Sequence, residues 1–184
     1  MLRFYFLIFI FFIAPVVAQE KVKKTETIST TSKITLAKLN ALEIKGTAVF
    51  TLASANYDGT LTGNLVYNLP ALERQKIARA LNKPVAEIPA SLAANNLTAK
   101  LEKNTYCPEI HLAFAELTLE IAGSKLQLNR FVLRLTESEQ RLSRVLCIWT
   151  ERTNKGVTNK GIVQYINLLL KGEEDEDIKP PIQN

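Results

Sequence analysis

EIHLAFAELTLEIAGSKLQLNRFVLRLT, residues 109–136, carries the alternation of one long antiparallel hairpin. Ile110, Leu112 and Phe114 alternate with polar or small residues, and so do Leu117, Leu119 and Ile121. After a turn the pattern resumes at Leu126 and Leu128, then at Phe131, Leu133 and Leu135. Successive strand side chains point to opposite faces, so this period marks half-buried strands. Leu, Ala and Glu would also suit a helix over 109–122, but the matching alternation of the partner segment favours a strand. Gly123-Ser124 is the expected turn, because glycine tolerates positive φ. A two-residue loop there sets Ile121 opposite Leu126, Leu119 opposite Leu128, Phe114 opposite Leu133 and Leu112 opposite Leu135. The apolar phase switches parity between Phe114 and Leu117 and again between Leu128 and Phe131. Either both strands bulge there, or the hairpin shows one face to the core near its tip and the other near its base. A coiled sheet that wraps around something would do this.

Working outward, residues 42–69 read as a second hairpin. Leu42, Ile44, Gly46, Ala48, Phe50 and Leu52 share one face, and Leu61, Gly63, Leu65, Tyr67 and Leu69 share one face of the return strand. Asn56-Tyr57-Asp58-Gly59 between them is a turn signal. A helical insertion follows at about 70–95. Asn68 can cap it, Pro70 suits a first turn, and Leu72, Ile77 and Leu81 form its apolar stripe. Pro84 ends the helix, residues 90–94 suggest a short second helix closed by Asn95 or Asn96, and 97–102 a strand. Residues 145–149 and 162–170 are apolar on both parities and read as two closing strands buried on both faces. The repeated Asn-Lys-Gly at 154 and 159 reads as two turns. The fold class is α+β: a curled antiparallel sheet of six to eight strands with a helical segment over one face.

Residues 1–18 resemble a secretory signal peptide, with Arg3 at the start, an apolar run over 4–13, and small residues before Gln19. The run is short for a membrane span, and an uncleaved anchor is the alternative. Residues 19–33 are a polar Lys- and Thr-rich arm, with an edge strand from Thr25 as an option; 34–172 form a single globular domain, and 173–184 an acidic tail expected to be disordered. Removing Arg3 with the signal lowers the formal net charge from +5 to +4. The body is moderately basic and the tail acidic, which suits an exported protein with a solvated surface. Two cysteines, Cys107 and Cys147, in an exported chain imply one disulfide and a periplasmic or extracellular location. A closing strand placed beside Cys107 would satisfy the geometry of that bridge.

The chemical inventory is thin. The chain has a single histidine, His111, and any Ser-His-Asp or Cys-His arrangement would have to recruit it. Asp58 sits in a turn its own side chain favours. No metal motif and no glycine-rich phosphate loop is present, so no cofactor or metal is expected. Asn96-Leu97-Thr98 is a glycosylation sequon. The leading expectation is a secreted or periplasmic, non-enzymatic binding or accessory protein, with an apolar ligand lined by Phe50, Leu65, Tyr67, Phe114, Leu119 and Phe131. A second is an envelope structural or protein-interaction domain with a basic surface, where Arg130, Arg134, Arg152, Lys155 and Lys160 could meet an anion. A third is a hydrolase with His111 as base. The partner is unspecified: an apolar small molecule or an envelope protein, rather than nucleic acid, because exposed aromatics are not interleaved with the arginines.

Overall fold

A computed structural model describes residues 26–32, 35–102, 105–136, 140–157 and 160–173. Nine antiparallel strands, against the six to eight expected, and three helices appear among them. The strands are β1 (Ser29–Thr31), β2 (Thr35–Leu39), β3 (Leu42–Ala55), β4 (Thr60–Asn68), β5 (Ser91–Leu101), β6 (Glu109–Phe114), β7 (Leu117–Ile121), β8 (Ser124–Leu128) and β9 (Phe131–Thr136). The helices are α1 (Ala71–Leu81), α2 (Arg141–Asn154) and α3 (Lys160–Lys171), with a short 3-10 turn at Val85–Glu87. The signal-like segment 1–18 and most of the acidic tail lie outside the described residues. Ser29–Thr31, in the second half of the polar segment, forms a strand, with Ile28 and Thr30 buried.

The sheet runs β7-β8-β2-β3-β4-β5-β6-β9, with β1 also on β3. The long hairpin therefore stands at both ends of the order. Its tip half, β7 and β8, pairs with β2, and its base half, β6 and β9, pairs with β5. β1 returns beside β9, where the Thr30 hydroxyl donates to the Arg134 carbonyl. The result is a curled half-barrel. The two parity switches are where the hairpin passes from one part of the sheet to the other.

The hairpin register differs by one residue in the turn. Ala122 and Gly123 form the loop, both at positive φ (49° and 79°). Ile121 then faces Ser124, Leu119 faces Leu126 and Leu117 faces Leu128. Phe114 faces Phe131, Leu112 faces Leu133 and Ile110 faces Leu135. This register wins because every apolar pair below the turn is matched and the two parity switches fall level. β3 and β4 pair as the alternation requires, Phe50 opposite Leu65 and Ala48 opposite Tyr67. Near the turn a bulge between Leu52 and Ser54 shifts the phase, so Ala55 and Leu61 face inward together.

Three expectations are corrected. Residues 145–149 and 162–170 are not strands. They belong to α2, which buries Leu142, Val145, Leu146 and Trp149, and to α3, which buries Ile162, Tyr165, Ile166 and Leu169. In each set the spacing is that of one helix face. Residues 90–94 are not helical, because they pair with β4, and the helical insertion ends before Ser91. Asn96 does adopt left-handed geometry (φ 57°), but at a bulge of β5 rather than a helix end. Finally, α1 starts after Pro70, with Asn68 inside β4, and it buries Glu73, Ile77 and Ala78, leaving Leu72 64% exposed. The first Asn-Lys-Gly ends α2 with Gly156 at φ 70°. In the second, Asn159 lies outside the described residues, while Lys160 and Gly161 start α3.

α3 lies against β3, and α2 packs on α3. Asn167 of α3 reads the β3 bulge like a neighbouring strand, since its Oδ1 accepts from the Ala55 N–H at 2.8 Å and its Nδ2 donates to the Ala55 carbonyl at 3.0 Å. The Glu26 carboxylate accepts the Leu142 N–H at 2.8 Å, satisfying a free donor of the first turn of α2.

Candidate functional site

The interior holds the aromatic residues singled out as ligand-lining. Phe50 meets Phe114 edge-on at 5.0 Å, and Phe114 stacks on Phe131 at 4.9 Å. Phe50, Leu65, Tyr67, Phe114 and Leu119 are buried and Phe131 is half-buried. Leu119 lies in the tip half of the hairpin, apart from the aromatic stack in the base half. Aromatic rings also cover the glycines of the β3–β4 pair. A Cβ on Gly63 would lie 2.5 Å from the Phe50 ring, and one on Gly46 2.4 Å from the Tyr67 ring. These close approaches need glycine and let the sheet curl tightly. Between Ile28, Thr30, Phe50, Leu52, Leu61, Leu112 and Leu135 a cavity of about 10 Å³ remains, room for about one water.

The end of the half-barrel covered by α1 is closed around a buried polar cluster. The Tyr67 hydroxyl donates to the Thr35 carbonyl at 2.8 Å, with the Ile44 carbonyl at 3.3 Å. Burial raises the Tyr67 pKa well above the ordinary phenol range, and the Glu73 charge adds to it. Glu73 is 5% exposed, accepts the Lys45 N–H at 3.2 Å and pairs with Lys76 at 2.7 Å. Burial works to raise its pKa, but the Lys76 and Lys45 hydrogen bonds outweigh it, and the carboxyl titrates below its usual value. Nothing but its position on an amphipathic helix marks this carboxylate in the sequence.

The opposite end is open. Antiparallel order puts the β3–β4 turn and the β5–β6 connection at the same end, and the end of α2 joins them. A Cβ on Gly59 would lie 2.9 Å from Thr153, and the Asn154 amide donates to the Thr105 carbonyl. Asp58 holds the turn, accepting from the Thr60 N–H at 3.0 Å and the Thr60 hydroxyl at 2.6 Å. Those two bonds lower its pKa. A cleft of about 220 Å³ lies between the turn and α2, lined by Tyr57, Asp58, Gly59, Trp149, Thr153, Gly156 and Val157. Tyr57 and Val157 are each 50% exposed and Tyr106 60%. These three occupy the tips of three neighbouring connections. Alternation arguments missed them, because loop residues have no period to break.

The basic candidates divide. Arg152, Lys155 and Lys160 flank this open end, on the end of α2 and the start of α3. Arg130 lies at the hairpin kink and Arg134 on the outer face of β9, 3.8 Å from Glu109. His111 faces Arg134 across the β6–β9 ladder, with Nε2 3.5 Å from the Glu109 carboxylate and no hydrogen bond to it. Cys107 and Cys147 are disulfide-bonded, with Cα atoms 5.7 Å apart. Cys147 reaches Cys107 from the middle of helix α2, rather than from a strand at the sheet edge. The bond is compatible with an oxidising, exported compartment. Among the described residues no helix is long and apolar enough to cross a membrane, and no His, Cys, Asp and Glu cluster could hold a metal ion. Comparison with protein-family models, with characterised proteins and with solved structures gives no match for the chain.

Proposed function

We propose that the chain is an exported, non-enzymatic binding or accessory protein that works by surface contact at its open end. The observation that carries this reading is that exposed Tyr57 and Val157 line one cleft, while exposed Tyr106 stands on the β5–β6 connection that Asn154 and the disulfide tie to α2. Apolar side chains scattered singly over a surface need no explanation, but a group gathered at one end marks a contact site. The cleft is smaller than a typical small-molecule pocket of roughly 300–1,000 Å³, which favours contact by the surface over enclosure of a ligand. The packed interior favours the same reading over an internal apolar ligand. The disulfide and the signal-like first 18 residues support the exported location.

Hydrogen exchange tests the reading. The purified chain is compared alone and mixed with the envelope fraction of its own cells. Slower exchange at residues 56–60, 105–109 and 153–157 is expected. Unchanged exchange there, with protection on the outer face of β9 instead, would overturn the proposal and move the site to Arg134.

A further inference from the structure

Resting on that reading, we propose that the partner of the open end is an anionic phospholipid surface, into whose headgroup layer the three loop tips dip. Tyrosine suits that layer because its ring is apolar and its hydroxyl polar, and such rings concentrate at membrane interfaces. Tyr57, Tyr106 and Val157 lie on separate connections at one end, an arrangement that meets a plane better than it meets a groove.

The charges at this end set the sign of the partner. Lys100 ends β5 next to the turn, Arg152 and Lys155 end α2, and Lys160 begins α3. Four carboxylates share the neighbourhood. Asp58 is taken up by Thr60, Glu102 is half-buried, Glu109 beside Tyr106 lies 3.8 Å from Arg134, and Glu151 sits one helical turn back from Lys155. Lys155, capping α2, and Lys160, opening α3, are both exposed and flank the connection that carries Val157. Each cation near an anionic bilayer contributes about 1 kcal/mol, falling off within a Debye length. Among the described residues, four other large apolar side chains are exposed. Leu72 and Val85 lie on the α1 side, Leu36 on β2 and Val132 on β9.

The test reads contact at the tips, because the apolar run at residues 4–13 could itself attach the full chain to a vesicle. Tyr57→Trp and Leu72→Trp chains are mixed with vesicles carrying brominated acyl chains, which quench tryptophan at short range. Trp149 is 3% exposed and contributes the same background to both. With phosphatidylglycerol in phosphatidylcholine, quenching beyond wild type is expected for Tyr57→Trp and not for Leu72→Trp. The double substitution Lys155→Glu, Lys160→Glu in the Tyr57→Trp chain should weaken that quenching by at least about tenfold in apparent affinity. Equal quenching of both reporters, quenching of neither, or equal quenching on phosphatidylcholine alone would overturn the lipid assignment. If the loops are protected by the envelope fraction while neither reporter is quenched, the surface stands and its partner is a protein or glycan. If both experiments are negative, both proposals fall.

Discussion

The two ends of the half-barrel are built on opposite plans. At the α1 end a helix is laid over the strands, and the groups it buries are paired: Tyr67 with two carbonyls, Glu73 with a backbone N–H and Lys76. At the other end the last turn of α2 packs beside the connections without burying them, and Tyr57, Tyr106 and Val157 stay exposed. An end that keeps apolar side chains in water gains little stability from burying them. Here a covalent staple takes over, since the Cys107–Cys147 bridge ties the β5–β6 connection to α2. The difference teaches where stability is built and where surface is kept free for contact.

Substitutions can break this contrast in order of size. Removing the bridge with Cys107→Ser and Cys147→Ser opens a 40-residue loop and should cost about 3–4 kcal/mol, read as a lowered urea midpoint. The loss should be greatest in hydrogen exchange at the open end. If the α1 end loosens equally, the division of labour is wrong. Gly63→Ala puts a methyl 2.3 Å from the Thr51 carbonyl and 2.5 Å from the Phe50 ring, and should cost about 1–3 kcal/mol by forcing the β3–β4 pair apart. Glu73→Ala leaves the Lys45 N–H without an acceptor and should cost about 1–3 kcal/mol in thermal or urea unfolding. The paired change Tyr57→Ser and Tyr106→Ser should alter stability by less than about 0.5 kcal/mol each while weakening surface contact. A large loss of stability there would make those residues structural and sink the proposed site.

Glu73 adds a pH test of the closed end. Its native pKa is lowered below the ordinary 4.5, so its contribution to stability is fully present above that value. The contribution is lost as pH falls through the lowered native pKa. Glu73→Gln should therefore flatten the acid limb of the stability curve below pH 4.5 relative to the wild type, measured by urea midpoints across pH. An unchanged acid limb would show that the carboxylate is not held in its charged form.

How much of this was legible in the sequence depended on the length of the pattern. β3 and β4 alternate over enough residues that their faces and odd-summed register were readable before any bulge. The hairpin at 109–136 was readable too, but its turn was set one residue late. Gly123 drew attention as the permissive position, while Ala122, also at positive φ, carries no such mark. The C-terminal third was misread because a five-residue apolar window fits a buried strand and a helix equally well. Widening the window to Leu142, Val145, Leu146 and Trp149 would have shown one helix face. In residues 90–94 alanine favoured a helix, but pairing with β4 overrode that preference. The pairing of Cys107 with Cys147 followed from simple counting, whereas the open-end residues are defined only by which loops meet in space.

A single turn, Ala122-Gly123, dictates alignment at two distant seams, one with β2 and one with β5. A slip of one position there would turn Leu126 and Leu133 of the return arm outward together, while Leu119 and Leu112 stayed inward. Misalignment is thus penalised twice over, so the chain checks its own threading at the step that joins both margins of the sheet.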